Sequence, residues 1–437
     1  MGELVVKSGI GHKMHAWATD LFPICRSITG NGVRQTLAYI KKLLPDLSVC
    51  EVPSGTKAFD WTVPDEWNIR DAYIEDETGN RIIDFKKHNL HVVSYSEPVD
   101  AWFTLEELDK HLYSLPEQPG AIPYITSCYK RCWGFCLTHE QRLKLKLGKY
   151  HAVIDCSLKP GSLTYGELIL RGAEEKEILL STYICHPSMG NNELSGPVVT
   201  SALAQWLVSL KNRRYTYRIL FVPETIGSIV YLSGHLDVMK RNTIAGFVVS
   251  CVGDDRSYSY LHSPWDDTLA DRVAKHTLKH HAPKYNDYYF WERGGSDEQQ
   301  YCSPNVRLPV VSVMRSKPGT YPEYHTSLDD LSFVTPSGLE GGYEVLRQCL
   351  MVLENNYFYR VPFPCEPHMA KRNTKHLYSK RFTKQSLTVM RLLNYLDGEH
   401  DLIKVCDQIG SSLISCIPII QELLEHKIIQ LEKSQYR

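Results

Sequence analysis

The sequence predicts an α/β fold with a mostly parallel central sheet, a β-rich inserted domain and a C-terminal winged helix. Three observations carry that expectation. Strand-like and helix-like runs alternate from Tyr150 to Tyr357, as they do where helices cover both faces of a parallel sheet. Between about Val52 and Pro123 the pattern changes to tryptophans, prolines and short alternating runs. Beyond Pro362 it resets again, to three short helices and a closing strand. At 437 residues the chain is longer than one core usually serves. The expected division is 1–51 with 124–362 as the main domain, 52–123 as the insert and 366–437 as the winged helix.

Taken in order, residues of about 11–45 read as helical, broken by Pro23–Gly32 and resuming at Val33 with apolar residues at helical spacing. Ala72–Asp76 and Leu90–Tyr95 are short alternating strands of the insert, with Thr78–Asn80 as a turn. The strands expected in the main domain are Ala152–Asp155, Glu177–Tyr183, Tyr217–Val222, Ile244–Cys251 and Val310–Val313. Gly196–Lys211 and Gly338–Glu354 are among its helices. At the C-terminus, Gln385–Leu396, Leu402–Ile409 and Ile414–His426 form a helix-turn-helix, and Lys427–Glu432 forms a short wing.

Composition narrows the partners. Lys and Arg total 49 against 50 for Asp and Glu, so no net charge draws the chain to nucleic acid or to an anionic membrane. The helix in the recognition position carries Glu422 and Glu425 with only Lys427 beside them, which repels phosphates. A docking role, including a homo-oligomer formed through the winged helix, suits it better than DNA binding. With no secretory h-region and no apolar run of about 18 residues, a cytoplasmic protein acting on a small molecule or short peptide is expected. Thirteen cysteines, many at apolar positions, fit buried thiols in a reducing compartment. Cys128, Cys132 and Cys136 are spaced by four, but Trp133-Gly-Phe between them reads as a packed turn, with no partner pair downstream.

Chemistry concentrates at three blocks. The apolar run Ile178–Ile184 ends in His186 and enters a polar loop, Ser188–Gly196, at the sheet edge where open α/β sheets bind ligands. A neutral imidazole there is a natural metal donor, which points to a metallohydrolase. Tyr217–Val222 repeats the geometry and delivers Glu224, a carboxylate placed to take a proton from water during attack on a carbonyl. The third block, Tyr321–Leu331, brings His325 as a second donor, with Asp329 or Asp330 able to hold its ring. In the glycine-rich loop Trp291–Gln299, Asp297 and Glu298 are candidates to bind an amino group, while Arg293 or Arg315 would clamp a carboxylate. Tyr324, beside His325, completes the expected substrate site. His186, Glu193 and His325 make three protein ligands, enough for one catalytic zinc, with Asp254 or Asp297 as alternatives to the glutamate.

These motifs resemble the zinc aminopeptidase superfamily of the M28 type. The closer resemblance is to a bacterial aminopeptidase-like family, formerly of unknown function, with a C-terminal winged helix. It rests on Phe22–Gly30, Asp60–Trp67, Trp133–Cys136, Cys185–Met189, Gly294–Glu298 and Tyr324–Ser327. The resemblance implies the zinc aminopeptidase (phosphorylase/hydrolase-like) type of sheet, amide hydrolysis, and a link to surface-polysaccharide biosynthesis. It also implies two zinc ions bridged by an aspartate, whose position here is Asn192. A zinc-binding glutamate of that pattern falls at Thr225, and an aspartate falls close to Ser250. With those carboxylates lost, one zinc is expected. The expected activity is an aminopeptidase or an N-deacylase on an aminosugar or small metabolite. A non-catalytic binding protein on the same scaffold is the alternative.

Overall fold

Two strands without an exposed residue, Glu177–Tyr183 and Thr216–Val222, lie side by side at the centre of an eight-stranded sheet. The computed structural model describes residues 9–290, 292, 295–372 and 383–432. Strands covered on both faces have no side facing water, which is why both read as largely apolar runs, the buried Arg218 of the second pairing with Glu177 of the first. In chain order the sheet comprises β1 (Ser48–Pro53), β2 (Ser162–Leu170), β3 (Glu177–Tyr183), β4 (Thr216–Val222), β5 (Thr243–Val248), β6 (Ser259–Leu261), β7 (Asn286–Tyr288) and β8 (Val310–Met314). Its spatial order is β1-β2-β4-β3-β5-β8-β6-β7.

The sheet is mixed, which corrects the mostly parallel expectation. β4, β3, β5 and β8 run parallel, whereas β1, β2 and β6 pair with their inner neighbours antiparallel. The reason lies in connection length. Only residues 171–176 join β2 to β3, and a parallel crossover needs about a dozen residues or more, so the chain reverses.

The run Ala152–Asp155 also departs from expectation. It belongs to the strand Lys149–Lys159, which lies in a separate four-stranded antiparallel sheet between Glu66–Asp76 and Val99–Thr104, with Arg81–Asp84 at the edge. Residues 52–123 thus supply three strands of this sheet and the later strand completes it. Trp67, Ile74, Tyr95, Phe135 and Ile154 are buried in its core.

Helices α1 (Ile10–Leu21), α2 (Asn31–Leu43), α3 (Ser195–Ser209) and α4 (Ile226–Asn242) accompany the central sheet. α3 comes so close to β3 that a Cβ on Gly196 would lie 2.3 Å from both Thr182 Oγ1 and the Val249 carbonyl. Glycine is therefore required there.

Residues 9–270 and 286–343 make one compact unit, and 271–285 with 344–432 make another. The second unit contains a three-stranded sheet of Phe358–Arg360, Asp397–Asp401 and Gln430–Leu431, and the helices Lys384–Tyr395, Leu402–Ile409 and Leu413–Glu425. Gly410, at φ 66°, ends the middle helix in the left-handed conformation that closes such turns. Among the described residues no single helix is long and apolar enough to cross a membrane.

Candidate active site

β3 carries the chain over the carboxyl edge of the sheet to His186, and a π-helical turn, Gly190–Leu194, then opens α3. Such turns occur often at functional sites. This one turns Glu193 back toward the histidine, with 2.9 Å between His186 Nδ1 and Glu193 Oε2. The Cys185 thiol is 3.5 Å from the same nitrogen. Behind Glu193 lies Arg26, which is fully buried and has its Nε 3.6 Å from Glu193 Oε1. Arg26 Nε also donates to the His186 carbonyl at 2.9 Å, and Nη1 donates to the Leu21 carbonyl at 2.8 Å. Burial raises the Glu193 carboxyl above its ordinary value, opposed by His186 and Arg26. Burial also pushes the Cys185 thiol up to about 11, with His186 opposing.

The other nitrogen of His186 faces outward. Its Nε2 lies 3.4 Å from Oε2 of Glu224, which follows β4, and Ser296 Oγ donates to the other oxygen of Glu224 at 2.7 Å. Glu224 is the carboxylate of this group with an exposed face, its side chain being 26% accessible. His325 stacks on Tyr324, with ring centres 3.9 Å apart, and meets Tyr124 edge-on at 5.3 Å. The His325 and His186 ring centres are 5.5 Å apart. Burial, aided by His186, lowers His325 to about 3, so its imidazole is neutral and able to act as a donor.

Backbone strain concentrates at this edge. Ser188, Thr225, Cys251 and His325 have φ of 42°, 63°, 51° and 56°. None is glycine, and such conformations cost about 1–3 kcal/mol each and persist where the surroundings enforce them. At Thr225 the enforcing contact is Asp297 Oδ1, which accepts its N–H at 2.7 Å and the Ser228 hydroxyl at 3.0 Å. Burial and the nearby Glu224 raise the Asp297 carboxyl to about 8.

Several residues expected in the site do other work. Glu193 lies on the Nδ1 side of His186, away from Glu224, and the trio His186, Glu193 and His325 is not gathered within common ligand spacing. Among the described residues of this site the trio so gathered is Cys185, His186 and Glu193, whose ligand atoms lie within 4.8 Å of one another. Asp297 and Glu298 are 0% and 1% exposed and turn inward, not toward a substrate's amino group. Glu298 accepts the Ser296 N–H at 2.5 Å, and a Cβ on Gly295 would collide with its carboxylate, so the glycine lets the loop close on its own acid. Arg315 donates to the Asp254 carbonyl at 2.7 Å and packs over Tyr258 at 4.0 Å, which removes it as a substrate clamp. Arg293 lies outside the described residues. Asp254 accepts from Asn191, Arg256 and Ser316, which leaves it no role as a ligand. Asp329 accepts the N–H groups of Asn191 and Asn192 at 2.6 and 2.9 Å, and burial pushes it up to about 7. It holds the π turn where a bond to the His325 ring was expected, and Asp330 instead caps Ser332. Tyr324 is half-buried against His325.

Sequence reasoning gave no role to Arg26, Tyr124 or Ser296. The signal for Arg26 is an arginine among Ile24, Cys25 and Ile28 with no acid within five residues in sequence. Tyr124 reaches the site because its N–H donates to the His325 carbonyl at 2.8 Å and Pro123 bridges to Thr326.

The second unit holds another cluster of metal-ligand types, His276, His280 and Asp407. Leu413 N–H donates to His276 Nε2 at 2.9 Å, so the proton sits on Nδ1 and goes to Asp407 at 2.8 Å. Both nitrogens are thus occupied, one by the first residue of helix Leu413–Glu425 and the other by Asp407 of helix Leu402–Ile409.

For zinc, the Nε2 side of His186 passes a donor test. Glu224 Oε2 stands 3.4 Å from that nitrogen, in reach of a water on the ion, and the His325 ring centre lies 5.5 Å from that of His186, a spacing at which two imidazoles can reach one zinc with bonds of about 2.0–2.1 Å. His325 supplies a second imidazole, kept neutral by burial. The site lacks further free carboxylates: Asn192 stands where a bridging acid would be needed, its Nδ2 donating to Tyr183 OH at 2.9 Å and its Oδ1 left without a partner. The residues fit one loosely held ion and do not fit a bridged pair.

Residues 15–356 match the family described as Domain of unknown function (DUF4910), and 358–431 match a winged helix-turn-helix. A Clostridium acetobutylicum protein named for polysaccharide biosynthesis with an aminopeptidase-like domain is 44% identical over 92% of each chain. A crystal structure from the same organism, described as a peptidase, is 41% identical, covers 97% of both chains and has a TM-score of 0.91. The zinc aminopeptidase BSAP of Bacillus subtilis shares the fold at 10% identity, covering 80% of this chain and 96% of its own, with a TM-score of 0.58. An M28 peptidase precursor from Shewanella amazonensis does so at 12% identity, covering 79% and 95%, with a TM-score of 0.56.

Proposed function

The chain belongs to the family described as Domain of unknown function (DUF4910), and from that premise we propose that it is a zinc-dependent amide hydrolase of the M28 kind. Its substrate would be a short aminoacyl compound or an N-acylated aminosugar, the latter in keeping with the polysaccharide role named for its Clostridium relative. The observation that carries the reading is His186, held from behind by Glu193 at 2.9 Å and facing the accessible Glu224 with its other nitrogen at 3.4 Å.

In this reading His186 Nε2 and His325 hold one zinc, which when bound would polarise the scissile carbonyl and acidify water. Glu193 accepts from Nδ1 of His186 and turns Nε2 to the cleft; burial lowers the imidazole, but Cys185, Tyr124 and Glu193 raise it well above its ordinary value, so Nε2 would give up a proton to hold zinc. Glu224 Oε2 takes the proton of the attacking water and returns it to the leaving nitrogen. Ser296 steadies the opposite oxygen of Glu224. With its carboxyl near 8, Asp297 is neutral at pH 7 and adds no second charge beside Glu224. Tyr124 and Tyr324 form aromatic walls around the two histidines.

The test is hydrolysis of aminoacyl anilides and N-acetyl aminosugars by the full chain with and without zinc. Zinc-dependent turnover of either class supports the reading. Zinc bound to His186 and His325 without turnover of either class moves a binding protein ahead. That second reading is favoured by Asn192 and Thr225, which stand where the aminopeptidase pattern has acids.

A further inference from the structure

We propose that Arg26 is a resident cation that closes the Cys185–His186–Glu193 cluster to metal ions and, through Glu193, fixes which nitrogen of His186 faces the cleft. The cluster has the make-up of a metal site: a thiol, an imidazole and a carboxylate, all buried, with ligand atoms within 4.8 Å of one another. What sets it apart is the arginine. Arg26 is 0% exposed, its Nε lies 3.6 Å from Glu193 Oε1, and its remaining bonds go to the His186 and Leu21 carbonyls.

Two backbone carbonyls from different segments hold the guanidinium, so it cannot swing away to admit an ion. Its charge is permanent, and the carboxylate it faces is the cluster's one negative group. A divalent ion added there would share that single carboxylate with a guanidinium in a volume from which water is excluded, where like charges repel strongly. Glu193, already neutralised, is free to serve as the acceptor for His186 Nδ1–H. The carboxylate behind a ligating histidine sets the ring's tautomer and orientation, and here that carboxylate is itself set by Arg26. Arg26 is thus a positioning residue. The inference rests on the function proposed above only in placing any ion on the Nε2 side.

The experiment uses the full-length chain, stripped of metal and titrated with cobalt(II). Ions per chain are counted by mass spectrometry, and thiolate-to-cobalt charge transfer is followed in the near ultraviolet. Comparison with Cys185→Ser isolates the contribution of that thiol from the other cysteines. Wild type and Arg26→Lys, which keeps the charge, should show no band that depends on Cys185. Arg26→Met should gain about one ion per chain and a Cys185-dependent band. A Cys185-dependent band in wild type overturns the proposal, as does a folded Arg26→Met that gains neither ion nor band. If Arg26→Met does not fold, Arg26→Gln takes its place. If that also fails, identical spectra of cobalt-treated wild type and Cys185→Ser support the proposal and different spectra overturn it. A wild type that binds no cobalt while Arg26→Met binds about one ion refutes the cleft metal site and still supports the role of Arg26.

Discussion

Glu193→Gln keeps the shape of the side chain and an oxygen to accept from His186, but removes the charge opposite Arg26. Both side chains are 0% exposed and 3.6 Å apart, so water cannot replace the lost counter-charge. Breaking a buried pair by neutralising one partner costs about 3–5 kcal/mol, chiefly the penalty of the charge left behind. Against a total stability of about 5–15 kcal/mol, that is a large shift. Urea unfolding followed by circular dichroism should show the midpoint falling with little change in slope. The double variant Arg26→Met/Glu193→Gln removes both charges and should recover most of the loss, because the desolvation cost disappears with them. A Glu193→Gln protein within about 0.5 kcal/mol of wild type would show that Arg26 does not depend on that counter-charge. So would a double variant whose loss is the sum of the two single losses.

Glu224→Gln should retain fold and zinc while turnover falls about 10²–10⁴-fold, the usual worth of a general base; loss of zinc from this variant would make Glu224 a ligand. With few protein donors, zinc should be stripped by mild chelation and restored by re-addition, and His325→Asn should weaken uptake in a competition assay with a fluorescent chelator. Asp297 has its folded pKa raised to about 8 from an unfolded value of about 3.9. The folded state therefore binds the proton more tightly, and its stability falls as pH rises from about 4 to 8. Asp297→Asn should flatten that fall in melting temperatures measured across the range, and an unchanged slope would exclude Asp297 as its source. Gly196→Ala would place a methyl 2.3 Å from Thr182 Oγ1 and the Val249 carbonyl, so soluble yield and melting temperature should both drop, with a cost of about 1–3 kcal/mol or more; normal stability would show that α3 can shift away from β3.

The central strands were legible because burial on both faces leaves one signature, a largely apolar run ending in a polar residue. β3 and β4 carry that signature, and it places His186 and Glu224 at the same sheet edge. Strand direction was less legible. The run Ala152–Asp155 is apolar enough for the central sheet, but its neighbours on both sides are antiparallel strands of the other sheet, a pairing that periodicity does not encode. The helix-turn-helix was readable down to its turn, because Gly410 and the helical spacing on either side are local features.

Short-range pattern was enough for the central strands and for the polar residues at their ends: an apolar run, a strand-end histidine, a strand-end acid. What each polar group does is set by packing. Glu193 stands one residue from the position of a bridging acid, yet a π turn sends it behind His186, where Arg26, 167 residues earlier in the chain, meets it. Arg315 and Asp297 look like substrate contacts in sequence and are spent on a carbonyl and on a strained N–H. A buried polar group must satisfy its bonds with whatever the fold brings near it, and that neighbour is set by packing between distant segments, which no local pattern records.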